Sequence, residues 1–181
     1  METWVWIVIA IVAAAVILAL AGLWAWSTRR RSARLHERFG PEYDRAVSGS
    51  GRRDGERRLT EIGREHDELE IRPLSDAARE RYLEEWRAVE ARFVDEPEDA
   101  ARGAERIVLR ALEERGYPME REQDRTVHLA VDHPDVVERY RHGSAMLGEL
   151  DGPEGTENLR KAMLDFRAVF EEIVEGQRTA A

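Results

Sequence analysis

Hydrophobic and polar positions divide this chain into one long apolar block followed by a series of amphipathic stripes. Trp4 to Trp26 comprises 22 apolar residues and Gly22. As a helix this block would rise about 34 Å, against a hydrocarbon core of roughly 30 Å. Beyond residue 55 the apolar spacing is helical, and no stretch alternates with period two for long enough to argue a strand. Leu59, Ile62, His66 and Leu69 predict a helix over 53–69. Tyr82, Trp86, Val89 and Phe93 predict one over 76–94, with Ser75 as its cap. Ala100, Ala104, Ile107, Val108, Ala111 and Leu112 predict a helix over 97–115, opened by Pro97 and closed by Gly116 and Pro118. Weaker signals place helices over 120–131 and over 134–149, the latter capped by Asp132. Thr156 caps the last, 157–175, whose stripe runs through Leu159, Met163, Phe166, Phe170 and Ile173.

The apolar block carries the signature of a membrane span. Trp4 and Trp6 stand at one end, Trp24 and Trp26 at the other, as two belts at headgroup level. A cleaved signal peptide is disfavoured, because the block is preceded by Glu2 without a basic residue and runs on to a stop at Arg29, Arg30 and Arg31. With Arg34, Arg38 and Arg45 these put six arginines just after the span, so the positive-inside rule places the N-terminus outside and the C-terminal domain in the cytoplasm, at the cell membrane. Helix signals continue to Phe39, where Gly40 and Pro41 stop them.

The expected fold is therefore all-α. A transmembrane helix over 4–26 is extended by a basic juxtamembrane helix to about Phe39, within an arginine-rich juxtamembrane stem over 27–47. A flexible joint over 48–55, rich in glycine and serine, leads to an acidic domain over 56–176, a bundle of about four to six helices. Residues 177–181 are a disordered tail.

Charge adds a third composition to this picture. Residues 29–58 hold ten arginines and five acids, a net +5, whereas residues 59–181 carry a net −13. The stem should be drawn to an anionic leaflet at roughly 1 kcal/mol per basic residue near its surface. Arg29, Arg30, Arg31 and Arg34 are thus the anchoring and topology residues together with the four tryptophans. The lipid bilayer is the first expected partner, anionic lipids a second and a protein a third. The acidic body disfavours nucleic acid.

Candidate chemistry is sparse. Without cysteine the chain has no disulfide, thiol nucleophile or zinc-thiolate site. His128, Asp132 and His133 form one cluster resembling a metal site, which His142 could approach, yet Asp132 has an expected role as a cap. Glu84-Glu85, Glu113-Glu114 and Glu171-Glu172 are adjacent on helices and diverge by about 100°. No hydrolase elbow, dinucleotide fingerprint or kinase signature occurs. The expectation is a non-enzymatic interaction or scaffold module without metal or cofactor. Two alternatives stay open on these residues: a metal- or small-ligand-dependent enzyme using 124–142, and an envelope protein with the domain outside.

The span with its arginine stop, Arg38-Phe39-Gly40-Pro41-Glu42-Tyr43-Asp44-Arg45, Ile71-Arg72-Pro73-Leu74-Ser75, Ala91-Arg92-Phe93-Val94-Asp95, Arg115-Gly116-Tyr117-Pro118 and Asp132-His133-Pro134 are spread along most of the chain. In these segments it resembles a family of uncharacterised actinobacterial single-pass membrane proteins. The resemblance implies a high-GC bacterial source, in keeping with 27 arginines against one lysine, and implies no assigned activity.

Overall fold

Helix boundaries fall where the local chemistry sets them. The computed structural model describes residues 2–149 and 155–176 and, within the first helix, the side chains at 4, 6, 16–20, 22, 23 and from 26 onward. The described residues form eight α-helices and no strand: α1 (Glu2–Phe39), α2 (Pro41–Ser50), α3 (Arg52–Asp67), α4 (Asp76–Arg92), α5 (Pro97–Arg115), α6 (Glu122–Asp132), α7 (Pro134–Gly148) and α8 (Gly155–Phe170). A π turn, Glu171–Glu175, prolongs α8. The expected break at Asp151-Gly152-Pro153 and the expected tail over 177–181 lie outside the described residues.

The body, α4 to α8, is built on the predicted stripes. Ser75 caps α4 by accepting the Ala78 N–H at 3.1 Å. Ala100, Ala101, Ala104, Val108, Ala111 and Leu112 make α5 a fully buried small-residue face against which α8 packs closely. Trp86 of α4 stacks on Phe170 of α8 with ring centroids 4.5 Å apart, and Tyr140 of α7 meets Phe166 edge-on at 6.3 Å. Two caps differ from expectation. Thr156 lies inside α8, whose described residues begin at Gly155, and Asp132 is the last residue of α6, with its carboxylate engaged elsewhere.

The expected joint over 48–55 is helical on both sides of Gly51. Pro41 at the first helical position and the acids Glu42 and Asp44 start α2, and packing against α3 holds Ser48 and Gly49 in helix despite their weak propensity. The turn narrows to Gly51, whose φ of +78° reverses the chain at little steric cost. Gly40, at φ +51°, ends α1, and a Cβ there would lie 2.9 Å from the Cβ of Pro134 at the start of α7. The stem therefore does not hang free. Phe39, Leu59, Ile62 and Val127 form a second, smaller core in which the end of α1, α3 and α6 meet.

Among the described residues no helix is long and apolar enough to cross a membrane; most side chains of the 4–26 block lie outside that set. Those described are open: Trp4, Trp6, Val16, Ile17, Leu18, Leu20, Leu23 and Trp26 are each more than half exposed.

Because Phe39 is fully buried in the small core, Phe39→Ala should lower stability by about 3–5 kcal/mol in denaturant unfolding. Val94→Ala, at an exposed position, should stay within about 0.5 kcal/mol of the parent.

Candidate functional site: the junction of stem and body

The stem meets the body through carboxylates that are matched by donors from other helices. Glu42 of α2 is 4% exposed and receives Arg141 of α7 as a fork, Nε to Oε1 and Nη2 to Oε2, both at 3.0 Å. Arg45 adds a bond to Oε1 at 2.6 Å and pairs with Glu138 of α7. Arg141 also donates to the Thr126 hydroxyl of α6 at 2.9 Å. The carboxylate thus ties α2 to α7, and Arg141 carries the tie on to α6.

Glu56 of α3 does the same between α1, α2 and α3. Its Oε1 accepts from Ser32 Oγ at 2.6 Å, Tyr43 OH at 2.9 Å and Arg52 Nε at 3.0 Å. Burial raises the Glu56 pKa, but these donors outweigh it and hold the carboxyl below its ordinary value. At the far end of α3, Arg38 of α1 donates to Asp67 at 2.5 Å. Ser32 meeting Glu56 and Arg38 meeting Asp67 show that α3 runs alongside the end of α1 in the same direction.

The third carboxylate, Asp132, gathers a histidine cluster. Its Oδ2 accepts from Tyr117 OH at 2.6 Å, and its Oδ1 lies 3.2 Å from His66 Nε2. The His66 ring, brought in by α3, stacks on His128 of α6 with centroids 5.6 Å apart. His128 and Asp132 are one turn apart on α6, and each approaches His66. His133 turns instead to Glu172, at 3.0 Å from Nδ1 to Oε1, and His142 pairs with Asp165 of α8. Among the described residues no three His, Cys, Asp or Glu side chains are placed to hold a metal ion. His66 and Tyr117 join the site without a spacing signal that marks them as site residues. The only signal for His66 was a polar residue inside the α3 stripe.

Of the predicted anchoring residues, Trp4, Trp6 and Trp26 are exposed, while the Trp24 side chain lies outside the described set. The Arg30 guanidinium lies over the Trp26 ring, 3.6 Å from its centroid. Arg31 donates to Thr60 of α3 at 3.0 Å, and Arg29 and Arg34 are exposed. Two clefts flank the junction. One, of about 590 Å³, has Leu59, Ile62 and Val127 in its lining together with Arg45 and Arg141, both committed to Glu42. The other, of about 510 Å³, lies between α1 and α3 and is lined by Ser27, Thr28, Arg31, Arg53, Glu56 and Arg57.

Segments far apart in sequence interlock around these groups. Gly40 abuts Pro134, the Arg72 N–H donates to the Arg115 carbonyl at 2.9 Å, and Tyr117 binds Asp132. No protein-family model matches the chain, and neither a curated protein nor a solved structure does.

The junction is built to weaken in acid. Burial, with the nearby His66, holds the His128 pKa below its ordinary 6.5, and burial with Arg115 does the same for His133. Asp132 is raised by burial but lowered further by the bonds from His66 and Tyr117, ending below its ordinary 3.8. A depressed group adds stability above its ordinary pKa, and this is lost as pH falls, because the unfolded chain then takes up protons that the folded chain resists. The midpoint temperature of thermal unfolding should fall as pH drops below about 6.5 and again below about 4. Replacing both His128 and His133 by Leu should flatten the upper branch and leave the lower one.

Proposed function

We propose that this protein is a non-enzymatic, single-pass membrane protein whose acidic helical body is fixed at the cytoplasmic face and binds another protein there. The observation that carries this reading is a single 38-residue helix, α1, whose described large apolar side chains toward its N-terminal end are exposed and whose arginine-rich end packs into the small core of Phe39, Leu59, Ile62 and Val127. A run of 22 apolar residues cannot stand in water as an exposed helix without association. A bilayer covers it on all sides, and the tryptophans at its ends suit the two interfaces.

Orientation follows from charge. Because α3 lies alongside α1, Arg52, Arg53, Arg57 and Arg58 join Arg29, Arg30, Arg31 and Arg34 near one end of the block. That concentration favours the cytoplasmic side more strongly than the sequence flank alone. The polar clusters of the junction favour an architectural role over catalysis. Their carboxylates accept from several donors at once and join helices, and the two histidines stack beside a carboxylate already held by Tyr117. The body then acts as a platform whose distance and tilt from the membrane are set by the stem. The resemblance to actinobacterial single-pass proteins points the same way.

The chain has no cysteine, so topology can be read without background labelling. In membranes washed with alkaline carbonate the protein should stay in the pellet. A Ser48→Cys variant should react with an impermeant thiol reagent only after the cells are opened. Extraction by carbonate would contradict the anchor, and labelling in intact cells would put the domain outside.

A further inference from the structure

The groove between α1 and α3 begins where the apolar block ends. Ser27 and Thr28 follow Trp26 directly and line it together with Arg31, Arg53 and Arg57. Arg53 is exposed and makes no ion pair or side-chain hydrogen bond within the described residues. Arg57 holds only Asp54, one turn earlier, in a pair exposed on both sides, an arrangement of little strength in water. Arg31 uses one nitrogen on Thr60 and has further N–H donors to spare. The single acid in the lining, Glu56, is already neutralised by Arg52. These are three guanidinium groups in one concavity of about 510 Å³, at the depth where a lipid phosphate would lie if α1 spans the bilayer. Forked donors of this type suit a phosphate oxygen pair.

We propose that this groove is a binding site for the phosphate headgroup of an anionic membrane phospholipid, held by Arg31, Arg53 and Arg57. The inference rests on the membrane reading above. It goes beyond that reading by assigning the site to α3, which returns two arginines to the membrane end of the stem more than 20 residues after the span. Diffuse attraction by the α1 arginines would not need Arg53 or Arg57. A built groove does.

The test uses the full chain in neutral detergent, with bound lipid counted by native mass spectrometry after addition of phosphatidylglycerol or phosphatidylcholine. Retention of phosphatidylglycerol over phosphatidylcholine is expected. Replacing Arg53 and Arg57 by Gln should weaken that retention by roughly tenfold or more, on the scale of two lost juxtamembrane charges. The control is Arg87→Gln with Arg106→Gln, exposed arginines of α4 and α5 that remove the same charge elsewhere, and it should change retention by less than about twofold. Equal losses in the two variants would overturn the site in favour of net charge alone. Displacement of the lipid by millimolar inorganic phosphate, itself bound in the parent and lost in the variant, would assign the groove to free phosphate and overturn the lipid. Circular dichroism checks that the variants stay helical. Carbonate extraction of the parent separates failure of the anchor from failure of the groove.

Discussion

A carboxylate that leaves water must be met by donors, and the burial of Glu42 on α2 imposes that demand on Arg141 of α7 and Arg45 of α2. Its two oxygens receive the fork of Arg141, and Arg45 adds a third bond. Removing either partner would strand a charge in the interface, at about 3–5 kcal/mol for a fully buried pair and less where the arginine reaches solvent. Apolar packing between α3 and the body could tolerate a slide of one helix along another. The Glu42–Arg141 fork cannot, because both its oxygens and both its nitrogens are assigned. The small core of Phe39, Leu59, Ile62 and Val127 supplies attraction, and the carboxylate supplies register.

Once α2 is fixed, the elements on either side of it follow. Gly40 and Gly51 give tight reversals, so α1 and α3 are placed by the same contacts that hold α2. Ser32, Tyr43 and Arg52 converge on Glu56, and His66 reaches Asp132. The +5 of the stem is therefore only partly available to a membrane. Arg38, Arg45 and Arg52 are paired with acids of the stem or body, whereas Arg29, Arg34 and Arg53 face solvent without an ion pair among the described residues. If α1 spans a bilayer as proposed, the arginines of α1 and α3 would lie between the anionic surface and a body whose net charge is −13.

The body was legible in the sequence, and the junction was not. Periodicity picks out Trp86, Val89, Ala104, Phe166 and Phe170 as core, and glycine and proline signals place the ends of α5 at Pro97 and Arg115. Residues 48–55 differ from the expected joint because local propensity favours a loop at Ser48-Gly49-Ser50-Gly51, while helix formation there depends on packing between α2 and α3 that no local rule encodes. Asp132 misled for a related reason. Its position before Pro134 fits a cap, and only the fold brings Tyr117 and His66 to its two oxygens. Glu42, Glu56 and Arg141 were unremarkable charges in sequence, since pairing across 99 residues leaves no trace in spacing. His128 and Asp132 were legible as a pair because they share one helix.

The Glu42, Glu56 and Asp132 clusters hold the stem in one arrangement on the body, and a distance across the junction measures it directly. Ala33→Cys on the exposed face of α1 and Glu113→Cys on α5 place two spin labels on opposite sides of it in a chain with no other cysteine. Double electron–electron resonance on the full chain, reconstituted in lipid nanodiscs, should give a single narrow distance distribution. In Glu42→Ala the same pair should broaden. A broad distribution in the parent chain, no narrower than in that variant, would contradict the account.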